Sequence, residues 1–226
     1  MIITIHQPEH LPWIGFFHKM SLADTYVLLD IVQFKKNNWQ NRNRIVNRNG
    51  EEQWLTVPVF NKGHISSTIK DTLINSHEPW QRKYLGRIQD AYCKHPYYFN
   101  YIDEIREIIN KNHLTISTLN YDLICFFRKI LGLQNRIVWA SELKVEGKGS
   151  DLLLNICENL GATRYISGPD GKKYLNLNQF EKRQISVEYH NFTHPVYKSE
   201  NFFPNLSTLD LIMNHGNESK KILWGI

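Results

Sequence analysis

The segment HQPEHLPWIGFFHK, residues 6 to 19, carries His6, His10 and His18. An imidazole titrates near neutral pH, so each could move a proton or donate to a phosphate. His6 and His10 bracket a loop that leads into a helix start, where backbone N–H groups and the helix dipole favour anions. The ordinary alternative is that each ring satisfies a backbone group. No His and Cys here have metal-ligand spacing, so a metal centre is not expected. The segment DIVQFKKNNWQNRNRI, residues 30 to 45, adds a carboxylate, amides, guanidinium groups and aromatic faces. That mixture suits a sugar, a base or a phosphate. It also suits a polar loop around a buried tryptophan. These two segments supply the expected catalytic groups, His6, His10 and Asp30. They also supply the expected substrate contacts Gln7, His18, Gln33, Trp39, Gln40, Asn41 and Arg42.

Three later segments are weaker. Gly147-Lys148-Gly149-Ser150 precedes a helix, and Lys148 and Ser150 are candidate phosphate contacts. The lysine precedes the second glycine, so this is not a Walker A loop, and a capped helix start with Ser150 as the cap explains it as well. Ser167-Gly168-Pro169-Asp170-Gly171-Lys172-Lys173-Tyr174 leaves a strand end. Ser167, Gly168, Lys172 and Tyr174 could reach a ligand there, or the stretch could be a plain Pro-Asp-Gly turn. Phe192 to Tyr197, with Pro204 to Ser207 and Asp210, could close over a pocket, but reads rather as packing and capping.

The elements that must position these groups follow from the apolar pattern. Ile2 to Ile5 is a buried strand ending at His6. Pro12 opens a helix on which Trp13, Ile14, Phe16, Phe17, Met20 and Leu22 keep helical spacing. Tyr26 to Asp30 is a second strand. Strand, helix and strand over so short a stretch make a βαβ unit with parallel strands. Ligands of open parallel sheets bind beyond the strands' carboxyl ends, where both His6 and Asp30 fall. Trp54 to Phe60 and Ile65 to Ile69 read as strands joined through Lys62-Gly63. Helices follow at Trp80 to Tyr92, Tyr97 to Ile109 and Ser117 to Leu131. Strands return at Arg136 to Ala140, Arg164 to Ser167 and Ser186 to Tyr189. Helices fill Asp151 to Leu160 and Leu206 to Asn214, the latter capped by Asn205 or Ser207. The expected fold class is α/β: one domain over residues 1–226, with a parallel-sheet, Rossmann-like core and a helical insert around 78–132.

The 226 residues are 42% hydrophobic, enough for a sizeable core, and 11 Tyr, 11 Phe and 6 Trp exceed what core filling alone asks for. The net charge of +5 is spread along the chain, with a local excess from Lys35 to Arg48. Without a basic tract, a small anionic substrate such as a nucleotide-linked sugar is expected rather than a nucleic acid. Cys93, Cys125 and Cys157 are far apart and sit in apolar helical patterns, which argues for a reducing compartment. The start MIITIHQPEH lacks signal-peptide character and no apolar run reaches membrane-span length, so a cytoplasmic protein is expected. A homo-oligomer is left open.

HQPEHLPWIGFFHKMSLADTYVLLDIVQFKKNNWQNRNRI resembles the opening of the WbqC-like family. LGATRYISGPDGKKYL, FTHPVY and FFPNLSTLDLIMNHG resemble its later segments. The resemblance implies sugar modification for O-antigen or other surface polysaccharides. It implies acyl or aminoacyl transfer to the amine of a nucleotide-linked amino sugar, with an acyl or aminoacyl donor. On that reading His6 or His10 is the base, and Gln33, Asn41 and Arg42 clamp the diphosphate or stabilise the oxyanion. A more distant similarity, to the nucleotidylyltransferase superfamily, implies instead an ATP-dependent carboxylate–amine ligase. Mg-ATP is then the cofactor, His6 and His10 stabilise anions, and Lys148, Ser150 and Ser167 touch phosphates. Gln7-Pro8-Glu9 between the histidines departs from that superfamily's pattern. A non-catalytic sugar-nucleotide binding protein is the third alternative.

Overall fold

A computed structural model describes residues 1–60 and 67–225. The chain forms two compact units, each assembled from separated stretches. The first comprises Met1–Gln7, Gly15–Ile31 and Gln134–Thr193; the second comprises Pro8–Ile14, Val32–Leu133 and His194–Ile226.

The first unit holds a five-stranded sheet built from β1 (Ile2–His6), β2 (Thr25–Leu28), β5 (Arg136–Trp139), β6 (Arg164–Ser167) and β7 (Ser186–Tyr189). The order is β5-β2-β1-β6-β7 and every pairing is parallel. The chain therefore runs outward from β1 to β2 and β5. It then crosses through α5 (Gly149–Asn159) to β6, on the other side of β1, and on to β7. The strand order reverses between β1 and β6, which makes their carboxyl ends the topological switch point of the sheet. This is the mixed α/β, mostly parallel, Rossmann-like core that the sequence pattern leads one to expect.

Apolar burial holds this unit together. Ile3 and Ile5 of β1, Tyr26, Val27 and Leu28 of β2, and Tyr165 and Ile166 of β6 are buried. Helix α1 (Ile14–Ser21) buries Phe16, Phe17 and Met20, with the Phe16 ring 5.2 Å from that of Tyr26. Each such side chain contributes about 1.5–3 kcal/mol. Asn135 donates to the Met20 and Ala23 carbonyls at 2.5 and 2.7 Å, and the Met20 carbonyl also accepts from the Ala23 N–H, which closes the end of α1.

The second unit contains an antiparallel hairpin, β3 (Arg42–Val46) with β4 (Glu52–Thr56), paired Arg42 to Thr56 through Val46 to Glu52. Its turn is shaped by Asn47, whose Oδ1 accepts from the Asn49 and Glu51 N–H groups, and by Gly50 at φ +78. Helices α2 (Trp80–Tyr92), α3 (Tyr98–Asn110) and α4 (Ile116–Ile130) follow the hairpin. Later come α7 (Thr208–His215), capped by Ser207, and the short α8 (Ser219–Trp224). Asp210 of α7 accepts from the Tyr92 and Tyr197 hydroxyls at 3.0 and 2.9 Å, a packing role for the FTHPVY segment and its neighbours.

Several expectations need correction. The polar stretch read as a ligand loop contains β3, with Asn43 and Ile45 on its buried side. The strand expected over Trp54 to Phe60 is β4, which begins earlier and ends at Thr56. Of the strand expected over Ile65 to Ile69, residues 65–66, like Lys62 and Gly63, lie outside the described residues; Thr68 makes a single bridge with Gln33. Helix α5 begins at Gly149, so Ser150 is in its first turn and Lys148 is the cap position. Pro169–Lys173 winds as a 3-10 helix rather than a bare turn, and α6 (Leu177–Lys182) follows it. No helix among the described residues is long and apolar enough to cross a membrane.

Candidate functional site

At the switch point of the first unit lies a cavity of about 280 Å³. Strand β1 delivers His6, the chain just after it Gln7, α1 delivers Lys19, and the chain after β6 supplies Gly168 to Gly171 and Tyr174. Gly171 is fixed by sterics: a Cβ there would collide with the Ser167 hydroxyl. The 3-10 turn thus packs directly onto the end of β6.

His6 is half-buried, with the Phe16 ring edge-on at 5.0 Å. Its Nδ1 lies 3.1 Å from the Gln7 carbonyl. A carbonyl only accepts, so Nδ1 carries the proton and Nε2 is the ring's basic nitrogen. Burial pushes the pKa of His6 well below its ordinary value, and the Lys19 ammonium pushes it the same way. Lys19 is buried and donates to the Ile5 carbonyl at 3.1 Å. The site therefore sets an imidazole that resists protonation near the Lys19 amine.

His18 and His190 extend this end of the unit. His190 follows β7 directly and donates its N–H to the Ser167 carbonyl at 2.7 Å. Its Nε2 lies 2.9 Å from His18 Nδ1, and Phe192 packs on both rings. Burial, then His18 and Lys19, lower the pKa of His190 to about 4. Burial also lowers that of His18. Among the described residues no group of three or more His, Cys, Asp or Glu side chains is placed to hold a metal ion.

The remaining expected residues of this unit have other surroundings. Asp30 does not line the cavity. Strand β2 ends at Leu28, and the buried Asp30 carboxylate accepts from the Ser141 N–H and hydroxyl at 3.0 and 2.6 Å, anchoring the turn after β5. Ser167 is buried and donates to the Gly168 carbonyl. Ser150 accepts from the Asn176 N–H at 2.9 Å, tying α5's first turn to the chain beyond the 3-10 helix, while Lys148 is exposed.

The other expected residues belong to the second unit. His10 is fully buried, with Nδ1 2.9 Å from Asn120 Oδ1 and Nε2 2.6 Å from the Tyr84 hydroxyl. Burial lowers its pKa to about 4. Both nitrogens are engaged inside a core, which suits architecture better than proton transfer to a substrate. Gln40 is buried and accepts from the Lys35 N–H at 2.7 Å. Asn41 is buried and donates to the Val57 carbonyl at 3.0 Å. Arg42 lies over the Trp54 ring at 4.1 Å, Trp39 is partly exposed, and Gln33 is exposed.

Sequence reasoning did not single out Lys19 and His190. His190 had a usable signal, because it stands just past a strand's carboxyl end as His6 does. Lys19 had none beyond its place beside His18, since a lysine at a helix's end ordinarily faces water.

The sequence profile of the WbqC-like protein family matches residues 7–222. A protein of Mycobacterium tuberculosis (strain ATCC 25618 / H37Rv), the uncharacterized protein Rv1507c, is 31% identical over 227 residues, covering 98% of this chain and 96% of its own. No solved structure matches the chain.

Proposed function

The chain belongs to the WbqC-like protein family, and from that membership and the His6 cavity we propose that it is a cytoplasmic transferase of surface-polysaccharide biosynthesis. Its substrate is a nucleotide-linked amino sugar, and it transfers an acyl or aminoacyl group to the sugar's amine. The observation that carries this reading is the His6 imidazole lining the switch-point cavity, with its Nδ1 against the Gln7 carbonyl and the Lys19 amine in the same lining.

The sugar nitrogen attacks the donor's carbonyl carbon, a C–N bond forms, and the bond to the leaving group breaks. His6 Nε2 takes the proton from nitrogen. Lys19 stabilises the negative charge that develops on oxygen or on the substrate's diphosphate. A neutral imidazole attracts a phosphate only weakly, so the lowered pKa of His6 disfavours an anion-clamp role. A second reading is ATP-dependent ligation, with phosphates at the start of α5, where the Ser150 hydroxyl already accepts from the Asn176 N–H.

Thermal-shift titration separates the readings. Amino-sugar nucleotides carrying dTDP or UDP raise the melting temperature by about 5–10 °C at a hundredfold excess over Kd. A shift with Mg-ATP and none with any sugar nucleotide favours the ligase. No shift with either contradicts both.

A further inference from the structure

A second cavity, of about 340 Å³, lies wholly within the second unit and is lined by Glu9, Trp13, Trp39, Asn43, Arg44 and Asn205. We infer that it is a carbohydrate-binding slot, in which a pyranose ring packs on Trp39 and Trp13 while its hydroxyls meet Glu9, Arg44 and Asn205. This goes beyond the reading of the His6 cavity and does not depend on it.

Four observations support the inference. The first is aromatic exposure. Trp39 is 38% exposed and Trp54, its neighbour at 5.5 Å, is 37% exposed. Even with the Arg42 and Arg44 guanidinium groups stacked on them, these adjacent indoles keep surface open to solvent, where single exposed apolar residues are the usual pattern. The second is composition. A pyranose has an apolar C–H face and a polar rim, and the slot offers indole walls with a carboxylate, a guanidinium and an amide around them.

The third is charge. Arg44 is already paired with Glu52 at 2.6 Å, and Glu9 adds a negative charge to the lining. A phosphate would meet a carboxylate and an already neutralised cation. A neutral polyhydroxylated ligand meets acceptors and donors of both kinds.

The fourth is rigidity. The Trp39 carbonyl accepts from the His10 N–H at 2.7 Å, and the Trp39 N–H donates to Asn38 Oδ1 at 2.7 Å. Trp13 bridges antiparallel to Ser207, and its ring stacks on His194 at 6.2 Å with an 11° interplanar angle. Asn43 donates to the His10 and Leu11 carbonyls, which fixes the loop that carries Glu9 and Trp13. Arg42 over Trp54 and Arg44 over both Trp39 and Trp54 hold the indoles in place. Walls fixed before binding lose little side-chain freedom when a ligand arrives.

Isothermal titration calorimetry with methyl glycosides of glucose, galactose, mannose and N-acetylglucosamine, and with uridine monophosphate, tests the slot. At least one glycoside binds saturably with Kd of about 1–10 mM, as befits one small neutral ring. Trp39→Ala weakens that binding at least about tenfold, Trp39→Phe restores part of it, and Phe99→Ala, an exposed ring on α3, leaves it unchanged. His6→Ala also leaves it unchanged, so failure of the transferase reading cannot be mistaken for failure of this one. Saturation by uridine monophosphate alone, by none of the probes, or undiminished in Trp39→Ala overturns the inference.

Discussion

Replacing His6 by alanine lowers turnover by about 10²–10⁴-fold, the usual contribution of a positioned general base, and leaves the fold in place. The fold survives because the ring sits at the end of β1, half-buried, and not in the apolar layer formed by Ile3 and Ile5. The measurement is mass-spectrometric detection of acylated sugar nucleotide, with circular dichroism as the control. His6→Gln, which keeps a polar side chain of similar reach and no basic nitrogen, is as inactive as His6→Ala. Lys19→Ala loses activity too, with a higher KM if the ammonium meets the diphosphate and a lower kcat if it meets the developing oxyanion. Unchanged turnover in His6→Ala removes the imidazole from the mechanism.

Asn120→Ala destabilises the protein by about 3 kcal/mol. Asn120 is fully buried on α4, where Oδ1 accepts from His10 Nδ1 and Nδ2 donates to the Pro8 and Gln40 carbonyls at 3.0 and 2.8 Å. Alanine leaves all three of these groups buried with the bond to Asn120 broken, and leaving buried polar groups unmade costs more than the bonds contributed. Urea denaturation reads this as a lower midpoint at unchanged slope.

The same network makes stability acid-sensitive. His10 has a pKa of about 4 in the folded chain, against roughly 6.5 when unfolded. Between those values the unfolded chain binds more protons, so stability is full above about pH 6.5 and falls as pH drops toward 4, by roughly 3 kcal/mol in all for this ring. His6 and His190, also lowered, act in the same direction. A pH-independent midpoint between pH 7 and 4.5, or wild-type stability in Asn120→Ala, contradicts the assignment of His10 as a buried neutral ring.

Much of the fold was legible because periodicity reports local structure. The β-branched run at Ile2 and the apolar run at Tyr26 give β1 and β2, and their close spacing gives parallel pairing. Strands β6 and β7 and helix α2 fall where the pattern puts them. What escaped depends on contacts between distant residues. Asn43 is a buried strand residue only because the His10 and Leu11 carbonyls accept from it. Read alone, it belongs to a polar loop. Asp30 was expected to end a strand, but β2 stops at Leu28, and Ser141, far along the chain, engages the Asp30 carboxylate. The order β5-β2-β1-β6-β7, and with it the switch point, is set by tertiary pairing that no single segment encodes.

His6 was found by a general rule about strand ends, whereas its neighbours were not. Lys19 owes its burial to the Ile5 carbonyl and the crevice around it, neither of which is visible in the FFHK stretch. His10 illustrates the converse. Its place in the loop after His6 made it a candidate base or anion stabiliser, yet its two nitrogens bind Asn120 and Tyr84 in a core.

The most direct test is a crystal structure of the protein with a dTDP- or UDP-linked amino sugar. The sugar amine should stand about 3 Å from His6 Nε2, beyond the ends of β1 and β6. A sugar nucleotide bound with no atom within hydrogen-bonding reach of that imidazole would contradict the mechanism.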